Sequence, residues 1–477
     1  MNQKQDIKEK LVKLYEEWAT EKMVSIDAIC PSGSERNYFR IKSANKVALG
    51  VYHTNEKENS AFISFSETFT KLNFNTPKIY ASRLVDNIYL LEDFGDINLF
   101  SIVQNKGQKI TENTKLLYKK SLKALFDFQT KGAKHLDFSK CTPRSNLDKQ
   151  SLIWDLNYFK YYFLKTQKVE FDEELLENDF QTFSDYLLEA NQNYFVYRDF
   201  QSRNIMIRDQ EPFFIDYQGG RMGPLQYDVA SLLFQVKANL SSETREELLN
   251  FYLDILPKKT DIEAFKKYYY PYVLIRICQV LGAYGFRGLI ERKAHFIQSI
   301  PYAVSTLKWL LDQLQMNIKT PELSRVLEKV TQLKFNTPSD KKNGLTIHLN
   351  SFAYKAGIPT DYSGHGEGFV FDCRSLPNPG RLKEYRHLTG KDEPVKAYLN
   401  EYAEVHDFLK HVIQIIEPAI LKFQERKFTD LSINFGCTGG QHRSVFMTET
   451  INEYLKSSFQ LNIELNHTQK ENWITSD

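Results

Sequence analysis

The chain has 477 residues, and its 62 Lys and Arg nearly balance its 60 Asp and Glu, giving a formal net charge of +2 at pH 7. This balance excludes a strongly basic protein that holds nucleic acid by bulk charge, although it leaves a local basic groove open. Hydrophobic residues make up 42% and charged residues 26%, which excludes a disordered chain. At roughly 150 residues per domain, the length predicts two or three domains.

Cysteine usage and the N-terminus bear on the compartment. The five cysteines form no CxxC pair, so the sequence predicts neither a disulfide framework nor a zinc knuckle. The first twenty residues carry several charges, which argues against a signal peptide. No run approaches the roughly 18 apolar residues of a membrane helix. We therefore expect a cytoplasmic protein.

Before about residue 315, the pattern predicts a short β-rich region followed by a mainly helical one. Alternating hydrophobic residues indicate strands, and spacing near 3.6 residues indicates helices. In chain order, the predicted elements are a helix at 4–22, strands at 38–41 and 47–51, a helix at 58–72, a strand at 87–92, helices through 112–190, a short β region at 194–216, and helices to about 314.

Residues 316–342 are polar and contain two prolines, so they predict a linker. After this linker, strand-like and helix-like runs alternate, which is typical of a smaller α/β domain with a Rossmann-like sheet. The predicted elements are strands at 345–350, 369–372, 431–435 and 461–465, with helices at about 395–426 and 443–457.

The segment YRDFQSRN, followed by an apolar strand, a turn and FFID, carries the strongest chemical signal. Its D-x-x-x-x-N spacing places Asp199 and Asn204 on one tight loop, and the hairpin delivers Asp216 beside Asn204. Phosphoryl transfer from ATP needs a carboxylate to accept the proton of the acceptor hydroxyl and oxygen ligands to hold Mg²⁺. The pattern therefore predicts a kinase catalytic loop.

Three other segments stand in the order that a kinase requires. Ser32, Gly33 and Ser34 precede the first hairpin and are candidates to cover the phosphates, although an ordinary turn explains them equally well. A strand then leads into a candidate hinge, where the backbone of Glu92, Asp93 and Phe94 would read adenine. Asp228, downstream of Asp216, is predicted to brace the catalytic loop.

The segments LLEDFG, YRDFQSRN, FFIDYQGGRMGPLQYD and LGAYGFRG resemble the aminoglycoside phosphotransferase/choline kinase family over residues 1 to about 315. The resemblance implies a bilobal protein-kinase-like domain that uses ATP and Mg²⁺, with Asp199 as base and Asn204 and Asp216 as metal ligands. The IDYQ and RDxxSRNIM patterns are most similar to anomeric amino-sugar kinases.

Two positions depart from the pattern of this family. Tyr197 stands where the family usually has His. Gly50 stands where the strand sequence V-A-I-K would place the ATP lysine, so Arg36 or Arg40 would have to substitute as the cation. We include Arg40 among the predicted nucleotide-binding residues.

The acceptor pocket is predicted to come from the helical insert around 154–159, which is rich in polar and aromatic side chains. Asp155 and Asn157 are the predicted acceptor contacts. The neighbouring aromatic residues, at helical spacing, are equally typical of a packed core.

In the second domain, a strand runs into the glycine-rich loop GCTGGQHRS and then a helix, which is a typical anion site. Residues at the C-terminal ends of neighbouring strands should lie nearby, because ligands bind at those ends of open α/β sheets. The candidate anion-binding residues are Asp372, Arg374, Cys437, Thr438, Gly439, Gly440, His442, Arg443 and Ser444.

The segments FDCRSLPNP, LTGKDEPV and GCTGGQHRS closely resemble the C-terminal domain of the RapZ family of RNase adaptor proteins over about 345–470. In that family the domain senses an amino-sugar phosphate and contacts small RNA. The resemblance implies that Thr438, Gly439, His442 and Arg443 bind a sugar phosphate. Gly380 and Gln441 replace a His and a Lys that are common in the family, and the lost cation weakens the interpretation as an RNA-binding site.

Two alternatives compete for this loop. Cys437, Arg443 and Ser444 spell C-x5-R-S, in which a thiolate attacks phosphate, Arg clamps it, and Asp372 could act as the acid. A purely structural loop is the other alternative.

We therefore predict a phosphotransferase domain at 1–315, with a small lobe at about 1–94 and a helical large lobe at about 95–315. A linker at 316–342 and a phosphosugar-binding domain at 343–477 follow. The predicted function is an ATP- and Mg²⁺-dependent small-molecule kinase, acting on a sugar or amino-sugar hydroxyl. The alternative is a regulatory adaptor that binds a phosphosugar or RNA and has a weak or inactive kinase lobe.

Overall fold

The computed structural model describes residues 3–29, 36–104, 110–333, 335, 344–361 and 368–474. They fall into two compact units, one formed by Met1–Ala283 with Tyr302–Gln332 and the other by Tyr284–Pro301 with Leu333–Asp477.

The strands are β1 Ser25–Ile29, β2 Asn37–Lys42, β3 Val47–Tyr52, β4 Ile79–Arg83, β5 Ile88–Leu91, β6 Tyr194–Val196, β7 Ile205–Arg208, β8 Glu211–Phe214, β9 Arg221–Gly223, β10 Thr346–Ala353, β11 Phe369–Asp372, β12 Asp430–Cys437 and β13 Asn462–His467. The α-helices are α1 Gln3–Ala19, α2 Glu56–Lys71, α3 Leu99–Gln104, α4 Glu112–Asp127, α5 Ala133–His135, α6 Lys149–Phe159, α7 Glu173–Leu188, α8 Gln226–Leu233, α9 Ser242–Asp254, α10 Ile262–Tyr284, α11 Ala294–Ile297, α12 Ile300–Gln313, α13 Pro321–Thr331, α14 Glu393–Asn400, α15 Ala403–Glu425 and α16 Arg443–Ser458.

The first unit begins with a five-stranded antiparallel sheet in the order β1-β2-β3-β5-β4. Alternation along β2 and β3 gives the sheet two different faces. Phe39, Ile41 and Ala48 point to one face and are buried with Leu11 and Tyr15 of α1. This apolar layer fixes the register of the sheet, because a slip by one residue would expose it.

Two short antiparallel strand pairs, the second of them a hairpin, flank the predicted catalytic loop in the helical part of the first unit. β6 pairs with β9, and β7 pairs with β8. Asp209 and Gln210 turn the hairpin with φ of 53° and 60°. Two left-handed residues are typical of a tight two-residue hairpin, so the predicted hairpin through these residues is confirmed.

A long apolar helix crosses the same region. The segment Ile262–Ile290 is long and apolar enough to span a membrane by length and composition, with a mean hydropathy of 1.4 and 56% of that window buried within the chain. The sequence pattern predicted no such run. Tyr272 of this helix donates a hydrogen bond of 2.7 Å to the Leu187 carbonyl, and Arg276 donates one of 2.9 Å to the Ser231 hydroxyl. Such contacts are typical of a helix in a domain core.

Part of the segment predicted as a linker is helical. In α13, the Leu323 backbone N–H donates a hydrogen bond of 2.8 Å to the Asp179 carboxylate, and the Glu322 carboxylate accepts one of 2.7 Å from the Asp172 N–H. These contacts attach α13 to the first unit, so residues 321–331 are a helix and not part of a linker.

The second unit contains a parallel four-stranded sheet in the order β11-β12-β10-β13. Its core is formed by buried apolar residues of β10 and β12 packed against those of α14, α15 and α16. The edge strands β11 and β13 contribute partly buried side chains. The sheet confirms the predicted Rossmann-like α/β fold. Because the strands are parallel, the C-terminal ends of β10, β11, β12 and β13 lie along one edge.

Candidate functional site

The three residues predicted for phosphoryl transfer meet in the first unit. Asn204 donates 2.9 Å to the Asp199 backbone carbonyl and 3.2 Å to Oδ2 of Asp216. The hairpin produces this arrangement, because the Ile215 N–H donates a hydrogen bond of 3.1 Å to the Asn204 carbonyl. Asp199 therefore lies on a loop that is tied directly to the metal-binding candidate Asp216.

Asp216 is held in an unusual conformation. Its φ is 72°, and its Oδ1 accepts 2.7 Å from the Gln218 amide. Partial burial, followed by the neighbouring Asp199 carboxylate, raises the pKa of Asp216 above its ordinary value. A cation at this position would relieve the repulsion between the two carboxylates.

The donor set fits Mg²⁺. Among the described residues, no group of three or more His, Cys, Asp or Glu side chains lies in a metal-binding cluster. Asn204 and Asp216 instead offer one amide oxygen and one carboxylate. Mg²⁺ is commonly held by one or two carboxylates, with phosphates and water completing its shell.

Asp228 braces the loop as predicted. Its buried carboxylate accepts the backbone N–H groups of Tyr197 and Arg198 at 2.7 and 2.9 Å. The Tyr197 hydroxyl donates 2.7 Å to the Ile215 carbonyl, which ties the catalytic loop to the strand that precedes Asp216. Burial raises the pKa of Asp228 to about 7. Tyr197, in place of His, thus holds the loop through its hydroxyl group.

The two candidate cations have different partners. Arg36 is buried, with Nη2 at 3.0 Å from Glu58 and Nη1 at 3.8 Å from Asp216. Arg40 is paired with Asp93 at 2.5 Å and with Asp96 at 2.9 Å. The structure thus directs Arg36, and not Arg40, towards the metal-binding candidate.

In the second unit, the glycine-rich loop leaves β12 and enters α16. Gly440 has a φ of +71°, which favours glycine, and its N–H donates 3.2 Å to the Cys437 sulfur. Thr438 and Gly439 are exposed. A Cβ added at Gly439 would meet nothing within 4 Å, so the loop is open to solvent there.

Arg443 links this loop to the end of β11. Its Nη1 donates to the carbonyls of Arg374 and Leu376 at 2.7 and 3.0 Å, and its Nη2 donates 3.3 Å to the Thr438 hydroxyl. Asp372 and Arg374 form a half-exposed ion pair of 2.6 Å. The structure thus brings the predicted residues of both strand ends together.

Two models of known families match this chain. The model of the phosphotransferase enzyme family matches residues 29–265, and the model of the RapZ C-terminal domain matches residues 345–471. The chain is a phosphotransferase-family domain joined to a RapZ C-terminal domain. The match over 29–265 also confirms the predicted kinase-like fold of the first domain.

Curated relatives give a narrower match. A "nucleotide-binding protein" of Fusobacterium nucleatum is 32% identical over 204 residues, covering 40% of this chain and 67% of that protein. Another of that name, from Hahella chejuensis, is 32% identical over 175 residues, covering 36% of this chain and 59% of that protein. This chain therefore spans about three fifths to two thirds of these relatives.

Solved structures are similar to the phosphotransferase domain at low identity. A choline kinase from Streptococcus pneumoniae has a TM-score of 0.40 and 14% identity, covering 64% of this chain and 99% of that chain. An ethanolamine kinase from Plasmodium vivax has a TM-score of 0.44 and 16% identity, covering 62% of this chain and 85% of that chain. The family assignment rests on the family models and not on these likenesses.

The predicted nucleotide-binding residues of the phosphotransferase domain have mixed outcomes. Ser32, Gly33 and Ser34 lie outside the described residues. Glu92 uses its backbone N–H for the Lys78 carbonyl at 3.0 Å, so that N–H is not available to adenine. Within the described part of the chain, the Phe94 N–H has no hydrogen-bond partner, and its contact with adenine stays a prediction.

Arg40 is held by two carboxylates of the predicted hinge region. Asp93 accepts both Nε and Nη2 of Arg40 and also caps the Gly95 N–H at 2.9 Å. The guanidinium is therefore part of the hinge. Arg40 thus pairs with two hinge carboxylates and not with Asp216, and its contact with the nucleotide stays a prediction.

The two acceptor candidates on α6 have different surroundings. Asp155 is buried, 3.7 Å from Arg198 of the catalytic loop, and burial raises its pKa. The side-chain oxygen of Asn157 is buried, with no hydrogen-bond partner among the residues that the structure describes. Residues two apart on a helix point in different directions, so one small ligand is not expected to contact both side chains equally. Phe159 and Phe163 are fully buried and belong to the core.

In the RapZ C-terminal domain, two predicted anion ligands are already engaged. His442 lies with Nε2 2.9 Å from the Tyr385 carbonyl, and burial lowers its pKa. A neutral ring that donates Nε2–H there has only an acceptor left. The Ser444 hydroxyl is buried 3.1 Å from the Cys437 sulfur. Thr438 and Gly439 are thus the more accessible of the predicted contacts.

The same geometry bears on phosphatase chemistry. The Cys437 side chain is only 3% exposed, and Arg443 is engaged with backbone carbonyls. A nucleophile must reach the phosphorus atom and its clamp must reach the phosphate oxygens. The arrangement therefore favours a binding loop over a catalytic one.

Ser351, at the end of β10, is a candidate from the sequence, whereas its neighbours His467 and Glu449 were not predicted. Ser351 lies 2.8 Å from Nδ1 of His467, whose Nε2 lies 2.9 Å from Glu449. Gln441 donates to the Arg386, Leu388 and Ile474 carbonyls and so holds three segments together. The signal for His467 was its position at the end of β13, paired in register with Ser351.

Proposed function

We propose that the phosphotransferase domain is an ATP- and Mg²⁺-dependent kinase that phosphorylates a hydroxyl of a small molecule, with a sugar or amino sugar as the acceptor. The observation that carries this proposal is Asn204, which contacts both the Asp199 loop and the Asp216 carboxylate at 2.9 and 3.2 Å. The same three groups, in this order, are the minimum that phosphoryl transfer asks of a protein.

Each residue has a distinct role in this proposal. Asp199 orients the acceptor hydroxyl and accepts its proton. Asn204 and Asp216 hold Mg²⁺, which when bound neutralises charge on the phosphates. Asp228 and Tyr197 keep the loop in place through the backbone of residues 197, 198 and 215. Asp155, beside Arg198, is the polar group of α6 best placed to orient the acceptor.

We further propose that the RapZ C-terminal domain binds a sugar phosphate at its glycine-rich loop. The support is an exposed Thr438–Gly439 segment next to the N-terminus of α16, where backbone N–H groups and the helix dipole favour an anion. The Thr438 hydroxyl, which accepts from Arg443, orients this segment.

The decisive experiment is ATP consumption by the purified full chain across a panel of sugars, amino sugars and amino alcohols, with and without Mg²⁺. Asp199→Asn should lower turnover by about 10²–10⁴, the usual contribution of a positioned acid or base. Asp209→Asn, in the exposed turn of the same region, is the matched control and should not. Equal turnover of Asp199→Asn and wild type would remove Asp199 from the mechanism.

A second candidate function is a regulatory adaptor that binds a phosphosugar or RNA and has a weak or inactive kinase lobe. It is favoured by one observation, that β3 contains no lysine. Absence of ATP consumption across the whole panel, with sugar-phosphate or RNA binding retained, would support it.

A further inference from the structure

The position assigned to the missing lysine lies on the wrong face of the small-lobe sheet. A Cβ at Gly50 would lie 3.0 Å from Ile41 Cδ1 and 3.0 Å from Leu11 Cδ2. Gly50 therefore faces α1. A lysine at this position would point into the apolar layer under α1.

The register shows which residues form the opposite face. Tyr38 pairs with Val51, and Val51 pairs with Tyr89. Cross-strand partners lie on one face, so these three side chains share the side of the sheet away from α1. The residue of β3 at this place is a buried valine, which offers no charge to a phosphate.

A cation nevertheless occupies this side of the sheet. The Arg36 side chain is only 3% exposed and interacts with Tyr38, on the same face as Val51. Its Nη2 is 3.0 Å from Glu58 of α2, and its Nη1 is 3.8 Å from Oδ1 of Asp216. A kinase usually pairs its strand lysine with a glutamate of the helix that follows β3, and α2 follows β3 here.

We infer that Arg36 contacts the phosphates of the bound nucleotide in place of a strand lysine, and that Glu58 is its positioning residue. The inference rests on the proposed function, since it assumes that the domain binds ATP. The cation enters from the segment before β2, so the pattern of β3 gives no sign of it.

Charge and geometry both support this role. Arg36 faces Glu58 and Asp216, so a buried guanidinium is balanced by carboxylates of two different elements. An atom this close to a candidate metal ligand is within reach of a phosphate oxygen bound to the same metal. Arginine stays charged at any physiological pH and can make two parallel hydrogen bonds to phosphate.

The test is calorimetric titration of the full chain with ATP, ADP and adenosine in the presence of Mg²⁺. Arg36→Gln should weaken ATP and ADP by roughly ten- to a hundredfold, because hydrogen bonds to charged groups are lost, and should leave adenosine unchanged. Glu58→Gln should weaken the two nucleotides less, because Arg36 remains but is less well held. The matched control is Arg83→Gln, which breaks a partly exposed pair with Glu17 of 2.6 Å in the same lobe.

The outcomes separate the possibilities. Equal weakening of adenosine and ATP would show a structural role and overturn the inference. Unchanged ATP affinity in Arg36→Gln would overturn it while leaving the proposed function intact. A wild-type chain that binds no ATP would overturn both. If Arg36→Gln does not fold, Arg36→Lys is the second variant, because it keeps the charge but not the paired donors. It should weaken ATP binding and leave adenosine binding unchanged. An ATP affinity equal to that of the wild-type chain would overturn the inference.

Discussion

Replacing Asp228 by asparagine tests whether the catalytic loop is held in place from outside the chemical site. The carboxylate accepts two backbone N–H groups, those of Tyr197 and Arg198, at 2.7 and 2.9 Å. Asparagine has nearly the same shape but only one acceptor oxygen. Its amide nitrogen would therefore face one of the two N–H donors without a hydrogen bond.

The expected cost follows from that count. Leaving one buried backbone N–H without a partner costs about 1–3 kcal/mol. A domain of this size changes its melting temperature by about 2–4 °C per kcal/mol. The unfolding transition of the phosphotransferase domain should therefore move down by roughly 2–12 °C. Because Asp199 directly follows the two braced residues, turnover should also fall, by up to about 10²-fold.

The pH dependence gives this prediction a sign. Burial raises the pKa of Asp228 to about 7. A carboxyl whose pKa is higher in the folded than in the unfolded chain stabilises the fold below the unfolded value, and this contribution is lost as the pH rises through about 7. Asparagine cannot bind the proton, so Asp228→Asn should destabilise the domain more at pH 5 than at pH 8.

Scanning calorimetry at both pH values, with Asp209→Asn as the control at an exposed turn, measures these effects. A melting temperature of Asp228→Asn within about 1 °C of the control would show that the two hydrogen bonds do not stabilise the loop. A difference between the two variants that is constant from pH 5 to pH 8 would show that Asp228 does not take up a proton on folding.

Three further predictions concern binding. Asp216→Ala should abolish Mg²⁺-dependent ATP binding, because the metal loses a carboxylate ligand; unchanged affinity in a Mg²⁺ titration would contradict the assignment. Arg443→Ala should weaken sugar-phosphate binding to the full chain, since the Thr438 hydroxyl and the turn at Arg374 lose their shared donor; Arg426→Ala, at an exposed helix end, is the calorimetric control. Gly440→Ala should weaken the same binding, because its φ of +71° is unfavourable for alanine, and equal affinity would show that the loop tolerates rearrangement.

Local patterns were enough to predict the catalytic loop. The spacing of Asp199 and Asn204, the hairpin at Asp209, and the return to Asp216 involve residues close together in sequence. Short-range geometry fixes such an arrangement, since a two-residue turn between paired strands has few solutions. The glycine-rich loop before α16 was predicted for the same reason.

The helix at 321–331 was missed although its signal was present. Leu323, Val326, Leu327 and Val330 have helical spacing, and Pro321 stands in the first turn, where proline is favoured. The polar residues between them suggested a linker. What makes the segment a helix is its apolar stripe packing on the first unit, and the sequence does not show that partner surface.

The sequence by itself determined the family of each domain and the strands that flank the catalytic loop and the glycine-rich loop. It also determined the three residues predicted for phosphoryl transfer, Asp199, Asn204 and Asp216. Only the tertiary structure decided which arginine faces the metal-binding candidate, because Arg36 and Arg40 are four residues apart and chemically identical. Arg40 meets Asp93 and Asp96, more than fifty residues away in sequence, whereas Arg36 meets Glu58 and Asp216. Alternation along β2 cannot separate the two arginines, because residues four apart lie on one face. Arg40 lies inside β2 and Arg36 just before it, so the distant segments that fold against these two points decide the partner of each.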